Sequence, residues 1–294
     1  MSGMTGPLGY GGLDPEATDL ETARVVMIPV PYDRTASYQK GTAHGPNALL
    51  EASTHMELWD DELGLEPYTI GIHTTLPVSG NEDTPEAMIA KVEAATAKYL
   101  AMGKMPVVLG GEHSVSVGAI RAYYKKHPGM SVVQLDAHGD LRDSFEGSTY
   151  NHACVLRRVV EAGIPTLQIG IRSICKEEAE LIRDKRLAVV SAREFQEHPE
   201  TALRMVDRLT DEIYLTVDVD FFDPGIMPGT GTPEPGGPGW YETLSFLREL
   251  MRRRKLIGFD INELRPIEDE KSSDFLAAKL VYKILAYRFF ADGA

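Results

Sequence analysis

Apolar residues fall along this chain in short continuous runs, separated by longer stretches with helical spacing. The runs at 24–29, 68–70, 106–109, 131–135, 166–171, 187–190, 212–217 and 255–260 predict eight strands. Several are apolar throughout and do not alternate, as suits strands covered on both faces. Between them, Thr84-Pro85-Glu86 combines a capping hydroxyl, a proline and an acid, and predicts a helix to Met102 with Gly103 as its stop. Further helices are predicted over 152–162, ending at Gly163, over 240–254, and over 273–290, where Ala277, Leu280, Val281, Ile284 and Leu285 recur at helical spacing. Alternation of this kind implies right-handed crossovers and a mainly parallel sheet between helix layers, an α/β fold.

Composition narrows the picture. A chain of 294 residues with 43% apolar content can bury a large core, and no linker or low-complexity segment divides it. We read residues 1–23 as an arm, glycine-rich at its start (Gly3, Gly6, Gly9, Gly11, Gly12) and mobile or partner-hugging, and 24–294 as one domain. No apolar stretch approaches a membrane span, and Met1 to Leu20 lacks the basic and apolar regions of a secretory signal. The two cysteines, Cys154 and Cys175, suggest reduced thiols in a cytoplasm, and Cys154 in Ala153-Cys154-Val155-Leu156 reads as packing, not as a Cys/His nucleophile with His152. A net charge of −14 argues against nucleic acid or an anionic membrane as partner and is compatible with a cationic substrate.

The chemistry gathers at strand ends. Asp136-Ala137-His138-Gly139-Asp140 closes the run at 131–135, and its three ligand-type side chains at every second position point the same way on an extended backbone. Gly110-Gly111-Glu112-His113-Ser114 follows the run at 106–109, where the glycines permit a sharp turn and Ser114 could cap the next helix. Asp218-Val219-Asp220 follows 212–217, and two carboxylates there repel and call for a cation. Asp223, before Pro224, reads as a turn former, and Asp260-Ile261-Asn262-Glu263 offers a carboxylate for a cationic ligand. His113, Asp136, His138, Asp140, Asp218 and Asp220 are too many ligands for one ion and match two. Asp136 and Asp218 would lie between the ions as bridges. Four carboxylates balance two divalent cations, and oxygen with a little imidazole favours two Mn²⁺. Such a pair produces hydroxide from water at neutral pH.

These motifs, in this order, resemble the ureohydrolase (arginase/agmatinase) family, as do Val30-Pro31-Tyr32-Asp33 and Gly41-Thr42-Ala43-His44-Gly45-Pro46. The resemblance runs from about Arg24 to Phe290. It implies a single three-layer α/β/α domain around an eight-stranded parallel sheet, with one manganese on His113, Asp136, Asp140 and Asp218 and the other on Asp136, His138, Asp218 and Asp220. It implies attack by a metal-bridging hydroxide on a guanidinium carbon, with His152 as mobile acid/base and Glu263 as a guanidinium clamp. It also implies a homo-oligomer, a trimer or hexamer. Arg142 stands where arginases usually carry an Asn that reads the amino acid's α-groups, and the stretches Asp140-Leu141-Arg142-Asp143 and 150–158 look like agmatinases. The formiminoglutamase branch shares the Leu-Arg step but generally lacks the histidine matched by His152. Agmatine hydrolysis to putrescine and urea is therefore the expected activity. Close relatives that hydrolyse guanidinobutyrate, guanidinopropionate, aminopropylagmatine, arginine or guanidine are alternatives, with a metal-dependent deacetylase and a silent regulatory subunit as readings from other classes.

Overall fold

The computed structural model describes residues 8–290. Eight strands form one sheet: β1 (Val25–Val30), β2 (Ile72–Thr74), β3 (Met105–Gly110), β4 (Ser131–Leu135), β5 (Thr166–Ile171), β6 (Ala188–Ser191), β7 (Glu212–Asp218) and β8 (Lys255–Asn262). Their order is β2-β1-β3-β8-β7-β4-β5-β6, and every pairing is parallel. The period-2 geometry sends successive side chains to opposite faces. Val25 and Met27 thus join one core cluster while Val26, Ile28 and Val30 join the other, and β4 splits likewise between Val133 and Val132.

Among the described residues ten α-helices precede, connect or follow the strands: α1 (Pro15–Thr18), α2 (Gly45–Ser53), α3 (Pro85–Ala101), α4 (Ser116–Lys126), α5 (Val155–Glu161), α6 (Lys176–Lys185), α7 (Ala192–Glu197), α8 (Pro199–Val206), α9 (Trp240–Arg253) and α10 (Ser272–Phe290). Side chains of α3, α4 and α5 pack against one face of the sheet, and those of α2 and α7 to α10 against the other. Thr84 caps α3 by accepting the Ala87 amide at 3.3 Å, and Gly103 and Gly163 adopt the left-handed backbone that ends α3 and α5.

One expected strand is displaced. Residues 67–70 form a 3₁₀ turn, because Pro67 starts it and Gly71 at φ 77° ends it, and the strand begins only at Ile72. Of the amino-terminal arm, residues 1–7 lie outside the described residues. Tyr10 is buried within its own chain, with its hydroxyl donating to Ala278 O at 2.8 Å. No described helix is long and apolar enough to cross a membrane.

Candidate active site

Four adjacent strands, β3, β8, β7 and β4, end at one edge of the sheet, and parallel α/β sheets bind ligands outside their carboxyl ends. His113 opens the turn after β3, Asp136, His138 and Asp140 follow β4, Asp218 ends β7, Asp220 sits in the next 3₁₀ turn, and Glu263 follows β8. Residues far apart in sequence thus meet.

They meet as two groups that share one acid. His113, Asp136 and Asp140 bring ligand atoms together in the first, and Asp136, His138 and Asp220 in the second. His113 Nδ1 lies 3.0 Å from Asp140 Oδ2 and 3.2 Å from Asp136 Oδ2. His138 Nδ1 lies 2.9 Å from Asp220 Oδ2 and 3.6 Å from Asp136 Oδ1. The two oxygens of Asp136 therefore face different histidines. Asp218 Oδ2 lies 3.6 Å from His113 Nδ1, and its Oδ1 accepts the Asp220 amide at 2.9 Å.

The donor set fits a pair of cations. His113 is fully buried, and its Nδ1 has no hydrogen-bond partner despite three nearby carboxylates. Its Nε2 is fixed 2.8 Å from Thr216 Oγ1, which donates to Asp260 Oδ1 at 2.6 Å, while Tyr214 and Asn262 donate to the same carboxylate. Orientation by an outer carboxylate is what a metal-bound imidazole needs, because it leaves the other nitrogen's lone pair free. Electrostatics agree. Burial and the neighbouring Asp136 push the Asp140 carboxyl up to about 7, and burial with Asp220, Asp136 and Glu263 drives Asp218 well above its ordinary range. Burial alone would lower His138, but Asp220 and Asp136 carry it up to about 12. Like charges this dense ask for positive countercharge.

Asp140 and Glu263 are held at φ 51° and 65°, in the left-handed region that non-glycine residues seldom adopt. The Glu263 amide donates to Gly111 O and its Oε1 accepts the His113 amide, both at 2.7 Å. Ser114 does not cap the following helix, since its hydroxyl donates to buried Glu112 instead. Asp223 is a turn former, its two oxygens accepting the Gly225 and Gly236 amides at 2.9 Å each.

His152 stands over the groups. Its ring lies 3.7 Å from Glu263 Oε1 through Nδ1 and 3.0 Å from Ser37 Oγ through Nε2, and its amide donates to Thr35 Oγ1 at 3.1 Å. Burial pushes the ring down to about 4 and so keeps it neutral. A cavity of about 240 Å³ opens here, lined by His138, Asp140, His152 and Asp218 with Ser37, Arg142, Ile174, Cys175 and Thr232. Arg142 stacks on Phe145 with its guanidinium carbon 4.8 Å from the ring centre. Cys154 is buried, its sulfur facing Ser148 O and not the histidine, in keeping with packing. Ser37, Thr216 and the Tyr214 hydroxyl escaped the sequence reading, because nothing in a lone Ser or a strand Thr marks a partner that is distant along the chain.

The sequence profile of the arginase family matches residues 23–286. The N(1)-aminopropylagmatine ureohydrolase of Synechocystis sp. is 47% identical over 284 residues, which cover 94% of this chain and 92% of that one. The agmatinase of Pyrococcus horikoshii is 33% identical over 282 residues, covering 94% and 96%. The crystal structure of the agmatine ureohydrolase of Thermoplasma volcanium matches with a TM-score of 0.86 at 32% identity, covering 94% of each chain. The chain belongs to the arginase family. Within that family it is a ureohydrolase, a hydrolase acting on C–N bonds of linear amidines.

Proposed function

We propose that this ureohydrolase cleaves an aminoalkylguanidine to urea and an amine, with N1-aminopropylagmatine the preferred substrate. Agmatine, the substrate expected from sequence motifs, is the second reading, and it shares the same aminobutylguanidine end. The relative at 47% identity supports the first choice, and the agmatinase of Pyrococcus horikoshii supports the second. Arg142, stacked on Phe145 at the cavity wall, offers no amide for an α-amino acid, which argues against arginine.

One observation carries the chemistry: two ligand groups share Asp136 in a site where a part-buried histidine, held neutral, lines the same cavity. His113, Asp136, Asp140 and Asp218 would hold one ion and Asp136, His138, Asp218 and Asp220 the other. Carboxylates with two imidazoles favour Mn²⁺. Such a pair, when bound, supplies hydroxide from water near neutral pH. His152, neutral at rest, takes up a proton as water adds to the guanidinium carbon. It returns that proton to the departing nitrogen as the C–N bond breaks, so the amine leaves without net proton change at the ring. Glu263 Oε1 faces the ring 3.7 Å from His152 Nδ1, and its carboxyl is the group that would meet the guanidinium. The same reading carries an assembly of identical subunits and a reducing cytoplasmic setting, in keeping with two free thiols; light scattering tests the former.

The test is urea release by Mn²⁺-loaded protein from N1-aminopropylagmatine, agmatine, guanidinobutyrate and arginine. The two amines should exceed the two acids in kcat/KM, with N1-aminopropylagmatine first. Arginine or guanidinobutyrate in first place overturns the substrate assignment. No urea from any of them returns the regulatory reading.

A further inference from the structure

Two glutamines, Gln134 and Gln168, lie fully buried in the mainly apolar strands that lead to the metal ligands. Gln134 precedes Asp136 by two residues on β4, and Gln168 is its register partner on β5. Gln134 Nε2 donates to Asp136 Oδ2 at 2.6 Å. Gln168 Nε2 donates to Gln134 Oε1 at 2.5 Å and to Gly139 O at 2.7 Å. Both ends of this chain of bonds are acceptors only, a carboxylate and a carbonyl, and that fixes which way each amide points. Turning the Gln134 amide over would set its oxygen against the carboxylate. Gln168 Oε1 is left buried with no partner. An apolar pair would fill these positions without an unpaired polar atom, so the amides answer to something other than packing.

We propose that Gln134 and Gln168 form a positioning relay for the metal centre. Gln134 stops the Asp136 carboxylate from rotating, so that Oδ2 stays toward His113 and Oδ1 toward His138. Gln168 holds Gln134 and, through the Gly139 carbonyl, steadies the turn in which Asp140 adopts its left-handed backbone. The relay thus grips both halves of the Asp136–Asp140 segment from below. It rests on the two-metal reading of the cluster.

The experiment is calorimetric titration of metal-free protein with Mn²⁺ for wild type, Gln134→Leu, Gln168→Leu and the double variant, with melting of each metal-free protein alongside. Outer partners of metal ligands typically contribute about 10–100-fold in affinity, and Gln134→Leu should lose that much. Its metal-free melting should stay near wild type, which a merely structural role would not predict. The double variant should be no worse than Gln134→Leu by more than about twofold, because linked residues are not additive. Unchanged Mn²⁺ affinity in Gln134→Leu, or single losses that multiply in the double variant, overturns the relay alone. If Gln134→Leu does not fold, Gln168→Met decides: weakened Mn²⁺ binding upholds the relay and wild-type binding overturns it. A wild-type protein that takes up no Mn²⁺ overturns the two-metal reading and the relay with it.

Discussion

Ser37 Oγ lies 3.0 Å from His152 Nε2. A hydroxyl from the loop after β1 therefore touches the nitrogen of the one neutral histidine in the cavity wall. That contact sets the ring's orientation, while Glu263 stands at the opposite nitrogen.

His152→Ala should leave metal content unchanged and lower kcat by ~10²–10⁴, the usual reach of a positioned acid/base. Ser37→Ala removes one hydrogen bond of about 1 kcal/mol, so kcat should fall only about fivefold. Near-normal turnover in His152→Ala would contradict the shuttle.

Asp136 belongs to both ligand groups, whereas Asp220 belongs to one. Asp136→Ala should therefore empty both positions and abolish urea release. Asp220→Ala should keep the His113 group and bind close to one ion per chain. Metal content after dialysis checks this, and equal losses in the two variants would contradict a shared ligand.

Without metal, burial would lower His113 and His138, but their carboxylate neighbours raise both. His138 reaches about 12, and His113 stands well above its ordinary value. Both rings are thus protonated near neutral pH, and an incoming cation must displace those protons. Mn²⁺ uptake at pH 7 should release the two ring protons and further protons from the raised Asp140 and Asp218 carboxyls, at least two per chain, and affinity should rise with pH as fewer protons compete. Calorimetry in buffers of different ionisation enthalpy measures the release. Heats that do not depend on the buffer would refute it.

Burial pushes the Cys154 thiol up to about 11, whereas Cys175 lines the cavity. Iodoacetamide at pH 8 should modify Cys175 and spare Cys154, because only the thiolate reacts. Peptide mass mapping tests this; comparable labelling at Cys154 would mean that helix α5 opens readily.

Much of this arrangement was legible in the sequence because strands and ligands both obey a period of two. Asp136, His138 and Asp140 could be placed together from spacing alone, and seven of the eight expected strands overlap the observed ones. The eighth failed at 68–70, where Tyr68-Thr69-Ile70 carries no more strand information than turn information, and the true strand, Ile72–Thr74, is short, peripheral and mostly polar. Helices α1, α2 and α6 to α8 drew no expectation, since none has the long run of helical spacing that distinguished α3 and α10. The outer partners were the least visible. Gln134 contacts Asp136 two residues away, but Gln168, Thr216 and Asp260 enter only through pairing between strands, which no local pattern encodes.

Strand β8 lies between β3 and β7 although it is the last of the eight along the chain. During synthesis, then, the middle of the sheet arrives at the end. Until it does, the chain holds two unfinished sheets, β2-β1-β3 and β7-β4-β5-β6, each with an open edge that invites wrong pairing. His113 belongs to the first piece, and His138 with the four ligand aspartates to the second. A chain cut short before residue 255 would keep the Asp136, His138 and Asp220 group in one piece and leave His113 in the other. Joining the pieces is what brings His113 to Asp136 and Asp140, so a complete pair of ligand groups certifies that the sheet has closed.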